Sequence, residues 1–157
     1  MASIRVTRRH SDRFGFTLVE LLIVVAIIGI LAAIAIPNLL NALDKSKQKR
    51  TMSDVRSIGT AVEAYATDRA LYPQAIPDWA TLKTVITPYF IRTPPDGDGW
   101  NNTWDTFTAG DGSTYTLSSL GKDDLTGSRA GGRTTDFNCD IVFSGGQFFQ
   151  WPEGTQS

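Results

Sequence analysis

The sequence of 157 residues contains one cysteine and one histidine. Cys139 therefore has no partner for an intrachain disulfide. His10 precedes a long apolar run, so the chain from that run onward has no histidine. This excludes Ser-His-Asp and Cys-His nucleophilic systems and histidine-ligated zinc sites from that part. The sequence also lacks a nucleotide-cradling glycine loop and paired acids at motif spacing, and we expect no enzymatic activity.

Charge is scarce and unevenly placed, with a net charge of −1 for the whole chain. Residues 1–15 carry four arginines against Asp12, a net of +3, which leaves −4 for residues 16–157. An acidic remainder gives no basic footprint for nucleic acid, and we expect no nucleic-acid binding by charge. Positive residues beside a membrane span stay on the cytoplasmic side. The C-terminal part is therefore expected in the periplasm or outside.

The most informative stretch is the apolar run from Phe16 to Ile36, in which only Thr17 and Glu20 are polar. About 20 apolar residues in a helix span the hydrocarbon core of a bilayer. A carboxylate in such a span costs at least a few kcal/mol, so Glu20 is a functional candidate that needs a positive partner. Pro37 removes one helical hydrogen bond and is expected to kink or loosen the preceding turn.

Beyond the run the apolar residues recur at three- and four-residue spacing through Tyr65, which indicates one amphipathic face. We predict a single helix from about Thr17 to about Thr67 and a short second helix from Pro77 to Tyr89, with proline in its first turn. The lysines and arginines of residues 45–50 are read as a solvated face, with lipid headgroups as the alternative.

The C-terminal part changes to a period of two, which is typical of strands. We predict two hairpins: 104–108 with 113–118, and 140–143 with 147–151. Residues 120–138 form a long loop between the hairpins, and a loop of that length is expected to be functional or disordered. Residues 96–99, Asp-Gly-Asp-Gly, are read as a turn, because the glycine and glutamate of an EF-hand loop are missing.

The N-terminal motif consists of Gly15 followed by FTLVELLIVVAIIGILAAIAIP, which ends at Pro37. It resembles the class III leader of type IV prepilins and type II secretion pseudopilins. The resemblance implies cleavage after Gly15 by a prepilin peptidase, methylation of the new amino group of Phe16, and pairing of Glu20 with the terminal amine of a neighbouring subunit. It also implies that the helix can bend near Pro37 in a filament.

The rest of the chain carries a second set of motifs in a fixed order: DRALYP at 68–73, TPYFIRTPPD at 87–96, GWNN at 99–102 and SLGKDD at 119–124. In that order they resemble the major pseudopilin of type II secretion systems. The expected fold is α+β and pilin-like, a long N-terminal helix packed on a small antiparallel sheet. The expected division is a leader at 1–15, a transmembrane and filament-core helix at 16–40, and a periplasmic head at 41–157.

The family resemblance implies a structural subunit that polymerises with copies of itself from the bacterial inner membrane. The chain would pass the membrane once with its head in the periplasm, and the filament would act as a piston in protein export, within the periplasm or outside. Prepilin peptidase, minor pseudopilins and an inner-membrane assembly platform are the implied partners. The alternative is a type IV pilus subunit used for adhesion, motility or DNA uptake. The lone Cys139 disfavours the disulfide-closed loop of many such subunits.

The resemblance further implies a structural calcium ion in the loop 120–138. By position, the Leu120 carbonyl and Asp123 match the family's ligands best, and Asp140 matches less well. Asp124 and Asp136 are added for their proximity. Calcium takes six to eight oxygen ligands, which a glycine-rich loop with aspartates can supply.

This loop departs from the family pattern. It carries Arg129 and Arg133, has few acids between Leu125 and Thr135, and is followed by an aromatic strand at 148–151. Aspartates solvated in a flexible loop are therefore the alternative to a calcium site.

Overall fold

A computed structural model describes residues 15–156 of the chain. The predicted leader lies outside the described residues, apart from Gly15. The chain divides into two compact units, with the boundary between Asn38 and Leu39.

Helix α1 extends over Leu18–Arg69 and contributes to both units. Its observed bounds confirm the predicted single helix to within two residues. The helix continues through Pro37, and the side-chain amide of Asn38 donates to the Ile34 carbonyl at 3.0 Å. The bend expected at Pro37 stays a prediction. After Arg69 the chain leaves the helix through Ala70, which has a φ of 63°.

In the first unit, α1 is apolar on every side. Among the described residues, α1 is the one helix long and apolar enough to cross a membrane. Its side chains are exposed, for example Ile23 at 55% and Leu31 at 62%. A helix that is hydrophobic all round is stable only when something apolar surrounds it.

In the second unit, α1 buries a stripe that includes Val55, Ile58 and Val62, each fully buried. This confirms the apolar face predicted from the spacing. Gly59 lies in the same stripe, and the ring of Phe143 packs directly on it. A Cβ at position 59 would lie 2.3 Å from that ring, which no side chain tolerates.

Helix α2 extends over Trp79–Ile86 and buries Trp79, Leu82 and Ile86 against α1 and the sheet. The Asp78 carboxylate accepts from the backbone N–H of Thr81 at 2.8 Å and is its N-cap. Pro77 was expected in the first turn of this helix. It precedes the cap instead, because the aspartate takes the capping position.

The second unit also contains one five-stranded sheet: β1 (Asp105–Thr108), β2 (Tyr115–Ser119), β3 (Gly132–Thr134), β4 (Ile141–Ser144) and β5 (Gln147–Pro152), in the order β1-β2-β4-β5-β3. The β1–β2 and β4–β5 pairs are antiparallel, which confirms both predicted hairpins. The predicted α+β, pilin-like fold with a small sheet is confirmed, but the sheet is mixed where an antiparallel one was predicted. Strand β3 lies within the long loop and pairs with β5 in parallel. Its three residues are too few to show a period of two, and its pairing depends on tertiary contacts.

The sheet and α1 also share a half-buried carboxylate, Glu63. The Tyr115 hydroxyl donates to its Oε1 at 2.9 Å, and the Tyr72 hydroxyl donates to its Oε2 at 3.1 Å. Burial and the negative charge of Glu63 both raise the pKa of Tyr115, which keeps its hydroxyl protonated as a donor. This network joins β2 to α1 through polar contacts at the margin of the core.

A second polar network joins loop residues of the second unit to α1 at Asp44. We call it the Asp44 latch. Asp44, 8% exposed, accepts from the Trp100 indole at 3.2 Å and from the Lys122 ammonium at 2.8 Å. One turn later, the amide of Gln48 donates to the side chain of Gln156 at 3.2 Å. The latch holds residues from two loops and the C-terminal tail against one face of the helix.

We expect Asp44→Asn to lower the free energy of unfolding by about 1 kcal/mol at neutral pH, because it removes the Lys122 ion pair and half of the Lys122 side chain faces solvent. Burial opposes ionisation of Asp44, but Lys122 and Trp100 outweigh it and lower its pKa. Since the folded pKa is the lower one, the stabilisation is complete above the unfolded value of about 3.9 and is lost as the pH falls through the folded pKa.

Denaturant titrations of the full chain in detergent, from neutral to acidic pH, measure this effect. The difference between wild type and Asp44→Asn is expected to shrink at the acid end. Asp68→Asn is the matched control, because Asp68 forms an exposed ion pair with Arg69 on the same helix. A difference of equal size at neutral and acidic pH would contradict the role given to the Asp44 charge.

Candidate functional site

The first part of the candidate site is the start of α1, where Thr17 and Glu20 hydrogen-bond to each other. The Thr17 backbone N–H and hydroxyl donate to Glu20 Oε2 at 2.9 and 2.8 Å, and the Glu20 N–H donates to the Thr17 hydroxyl at 3.2 Å. This is a capping box, in which threonine and glutamate three residues apart satisfy free N–H groups at a helix N-terminus. The sequence analysis missed it, although the Thr-x-x-Glu spacing ahead of an apolar run was the signal.

The capping box gives Glu20 a role within its own chain. It fixes the carboxylate at the first turn of α1, where negative charge is favoured by the helix dipole. Gly15 and Phe16 precede the helix, and Phe16 is 81% exposed. The predicted cleavage bond and the predicted assembly carboxylate therefore lie within one turn of each other and both face outward. Cleavage, methylation of Phe16 and the assembly role of Glu20 stay predictions.

The second part is the apolar surface that follows. Every Leu, Ile, Val and Phe between Phe16 and Leu43 keeps at least 48% of its surface exposed. Soluble monomers rarely expose contiguous apolar patches larger than a few hundred Å². This surface is suited to a bilayer or to the matching helices of other copies.

The third part is the loop 120–138, which closes on itself through backbone contacts. The two ends of the loop meet at a point that we call its neck. There the Lys122 N–H donates to the Phe137 carbonyl at 2.9 Å. Gly121 has a φ of 74°, and a Cβ there would lie 2.8 Å from the Asn138 carbonyl oxygen. A glycine is required at this position for both reasons. The loop thus returns close to its own start before β4 begins.

Three of the predicted calcium ligands lie near this neck and are exposed. Asp123 Oδ1 accepts from the Leu125 N–H at 3.2 Å, and Asp136 Oδ1 accepts from the Asn138 N–H at 2.9 Å. Asp124 has a φ of 56°, a backbone conformation used in tight turns. These aspartates act as turn residues in the structure.

Asp140 lies apart from them, fully buried, with both carboxylate oxygens occupied. Its Oδ2 accepts from Arg129 Nε at 2.8 Å, and its Oδ1 accepts from the Gly127 N–H at 3.0 Å. The guanidinium of Arg129 also donates through Nη2 to Asp105 Oδ2 at 2.5 Å. Partial burial opposes the charge of Arg129, but its two carboxylate partners outweigh this and raise its pKa.

Gln150 on β5 completes the support of this part of the loop. Its amide nitrogen donates to the Asp140 carbonyl at 2.9 Å and to the Ser128 carbonyl at 3.1 Å. Its amide oxygen accepts from the Gly131 N–H at 3.2 Å. The sequence analysis missed Gln150, since a glutamine in an aromatic strand carries no signal of burial, and it is 3% exposed.

The residues present do not fit a calcium ion bound at Asp140. Both oxygens of that carboxylate are engaged, and one of them binds a cation, Arg129. Across residues 15–156, no three acidic, cysteine or histidine side chains come together as a metal-binding group. The other predicted ligands stay predictions: Leu120, Asp123, Asp124 and Asp136.

Asp98 is a further acidic residue that the sequence analysis did not single out. It is 2% exposed and accepts from the N–H groups of Trp100 and Asn102, each at 2.9 Å, and from the Ser119 hydroxyl at 2.6 Å. The turn predicted at 96–99 is thus organised around a buried carboxylate. A carboxylate can accept about four hydrogen bonds, and the Asp98 carboxylate accepts these three.

Two family models match the chain. The model of the prokaryotic N-terminal methylation motif matches residues 10–36, and the model of type II secretion system protein G matches residues 38–137. Together they cover nearly all of α1, then α2, strands β1 to β3 and most of the long loop.

Individual relatives give the same result. Two proteins named type II secretion system core protein G are similar to the chain. The one from Vibrio cholerae is 33% identical over 80% of this chain and 91% of its own length, and the one from Escherichia coli K12 is 30% identical over 74% and 86%.

A protein of Myxococcus xanthus named type IV major pilin protein PilA is 45% identical over 69 residues, which are 44% of this chain but 31% of that protein. The protein G relatives and the protein G model cover far more of the chain than this pilin does. The chain belongs to the type II secretion system protein G family.

Proposed function

We propose that this chain is a structural subunit of a type II secretion pseudopilus, without an active site of its own. It is processed after Gly15, methylated at Phe16 and anchored in the inner membrane by the first half of α1. Copies of the chain polymerise through these helices, with the heads on the outside of the filament in the periplasm. Growth of the filament drives protein export.

The observation that carries this proposal is the combination at the start of α1. An exposed carboxylate, Glu20, is fixed at the first turn of a helix whose following apolar side chains are all exposed. A membrane anchor alone needs the apolar surface but is weakened by the charge. A polymerising helix has a use for both, because the carboxylate can meet the positive amine that cleavage creates at Phe16 of another copy.

The mechanism follows from the order of events. Before assembly, Glu20 is held by Thr17 within its own chain. In the filament, a terminal amine of a neighbour supplies the opposite charge in a medium of low dielectric constant, where ion pairs are strong. That pair sets the register, and the apolar helices then pack along one another. Prepilin peptidase, minor pseudopilins and the assembly platform are the partners that processing and growth require.

We expect Glu20→Ala to leave the head folded and to reduce the fraction of subunits recovered in filaments by at least about tenfold. The substitution leaves the terminal amine of Phe16 in a neighbouring copy without its carboxylate partner. An unpaired charge in the hydrocarbon core costs about 2.5–3.5 kcal/mol on insertion scales, which disfavours assembly. The measurement is the amount of subunit in sheared, pelleted filaments from cells that express the secretion apparatus.

Glu20→Gln is the decisive companion variant. Glutamine also completes a capping box, so this variant keeps the start of α1 but removes the charge. The proposal predicts that it fails in assembly as Glu20→Ala does. Filament yield equal to wild type would show that the helix cap matters and the charge does not.

A type IV pilus subunit is the second candidate, supported by the similarity to the Myxococcus xanthus pilin. The two candidates share the processed, anchored helix but differ in what depends on the filament. If the first is correct, deleting the gene leaves exported hydrolases inside the cell and surface pili unchanged. Lost pili with normal export would favour the pilus subunit instead.

A further inference from the structure

We propose that the guanidinium of Arg129 takes the place of a calcium ion in this chain as the cation that orders residues 120–138. The loop would then keep its structure whether or not calcium is present. The proposal concerns the head alone and does not depend on the chain's part in secretion.

The geometry of Arg129 is that of a bridging cation. Its Nε donates to Asp140 Oδ2 at 2.8 Å and its Nη2 to Asp105 Oδ2 at 2.5 Å. Asp105 begins β1 and Asp140 directly precedes β4, so the side chain connects the loop to two different strands. The planar fork of arginine suits this arrangement, since its donors point in fixed directions and can serve two carboxylates at once.

The contact between Arg129 and Asp140 neutralises a buried negative charge. Asp140 is fully buried, and a buried carboxylate without a positive partner destabilises a fold by several kcal/mol. The Arg129 side chain, 28% exposed, supplies that positive partner from within the chain. A calcium ion bound to the same carboxylate would have to displace the guanidinium, because two cations so close together repel.

Neutral donors and acceptors complete the same arrangement. The Gly127 N–H fills the remaining oxygen of Asp140, and a Cβ at Gly127 would lie 3.2 Å from that oxygen. Gln150 contacts the loop backbone on either side of Arg129, at Ser128 and Gly131. The loop is therefore held at 127, 128, 129 and 131 by side chains of the sheet and of its margin.

Arg133 offers a matched control in the same loop. Its side chain is 71% exposed, and its nearest acidic partner, Glu153, is 4.0 Å away and half exposed. Exposed pairs of this kind contribute little to stability. A substitution at Arg133 removes the same charge as one at Arg129 without touching a buried carboxylate.

The experiment compares the full chain in detergent with millimolar calcium and with a chelator. Thermal unfolding and the rate of proteolytic cleavage within 120–138 are followed for wild type, Arg129→Ala, Arg129→Lys and Arg133→Ala. A calcium ion present at 100 times its dissociation constant would raise the unfolding midpoint by about 10 °C.

We expect wild type to unfold at the same temperature in both conditions. Arg129→Ala is expected to lower the midpoint by on the order of 10 °C and to speed cleavage of the loop, while Arg133→Ala behaves as wild type. Arg129→Lys should recover part of the midpoint, because it restores the charge but not the fork. A wild-type midpoint that falls with the chelator would overturn the proposal, as would equal effects of Arg129→Ala and Arg133→Ala. The calcium comparison on wild type stands even if Arg129→Ala does not fold.

Discussion

The exposed apolar half of α1 is the constraint on which the rest of this molecule depends. From Phe16 to Leu43 no large apolar side chain is buried by residues 15–156, so the burial that stabilises the helix must come from lipid or from other copies. Further along the same helix, Val55, Ile58 and Val62 are buried by the head. One helix thus has two kinds of surroundings, and the charged Glu20 lies at the start of its exposed half.

The head has one cysteine and no intrachain disulfide. Two basic residues of its long loop, Lys122 and Arg129, form ion pairs with acids elsewhere in the head. Lys122 at the neck of the loop reaches Asp44 on α1, and Arg129 in the middle reaches Asp105 and Asp140 at the sheet. Each contact joins a segment with little apolar surface to an acid that is wholly or partly buried. Ion pairs and hydrogen bonds therefore hold the loop to α1 and to the sheet, together with the buried side chain of Phe137.

Much of the fold follows from periodicity alone. The long helix, the second helix and both hairpins were predictable because each buries a face with a regular spacing of apolar residues. Strand β3 was not, because its three residues, Gly132–Thr134, have no pattern of their own and pair with β5 only after the loop is in place. The start of the candidate site was identified in another way, by the resemblance of residues 15–37 to a prepilin leader, which implies the roles of Gly15, Phe16 and Glu20.

The contacts of residues 120–138 could not be predicted from the sequence. Arg129 was visible as a departure from the family pattern, but nothing in the order of residues shows that it faces Asp140 across 11 positions and Asp105 across 24. Gln150 and Asp98 were missed because polar residues at such positions are usually solvated, and only the fold shows that they are buried. Contacts between distant polar residues depend on geometry that periodicity does not encode.

The most direct test of the central claim is a zero-length carbodiimide cross-link on filaments, which joins an amine to a carboxylate in contact with it. We predict a covalent dimer in which the amino group of Phe16 in one copy is linked to Glu20 of another, identified by mass spectrometry and absent when the carbodiimide is omitted. Filaments whose subunits still begin at Met1, or whose Phe16 and Glu20 never cross-link between copies, would contradict it.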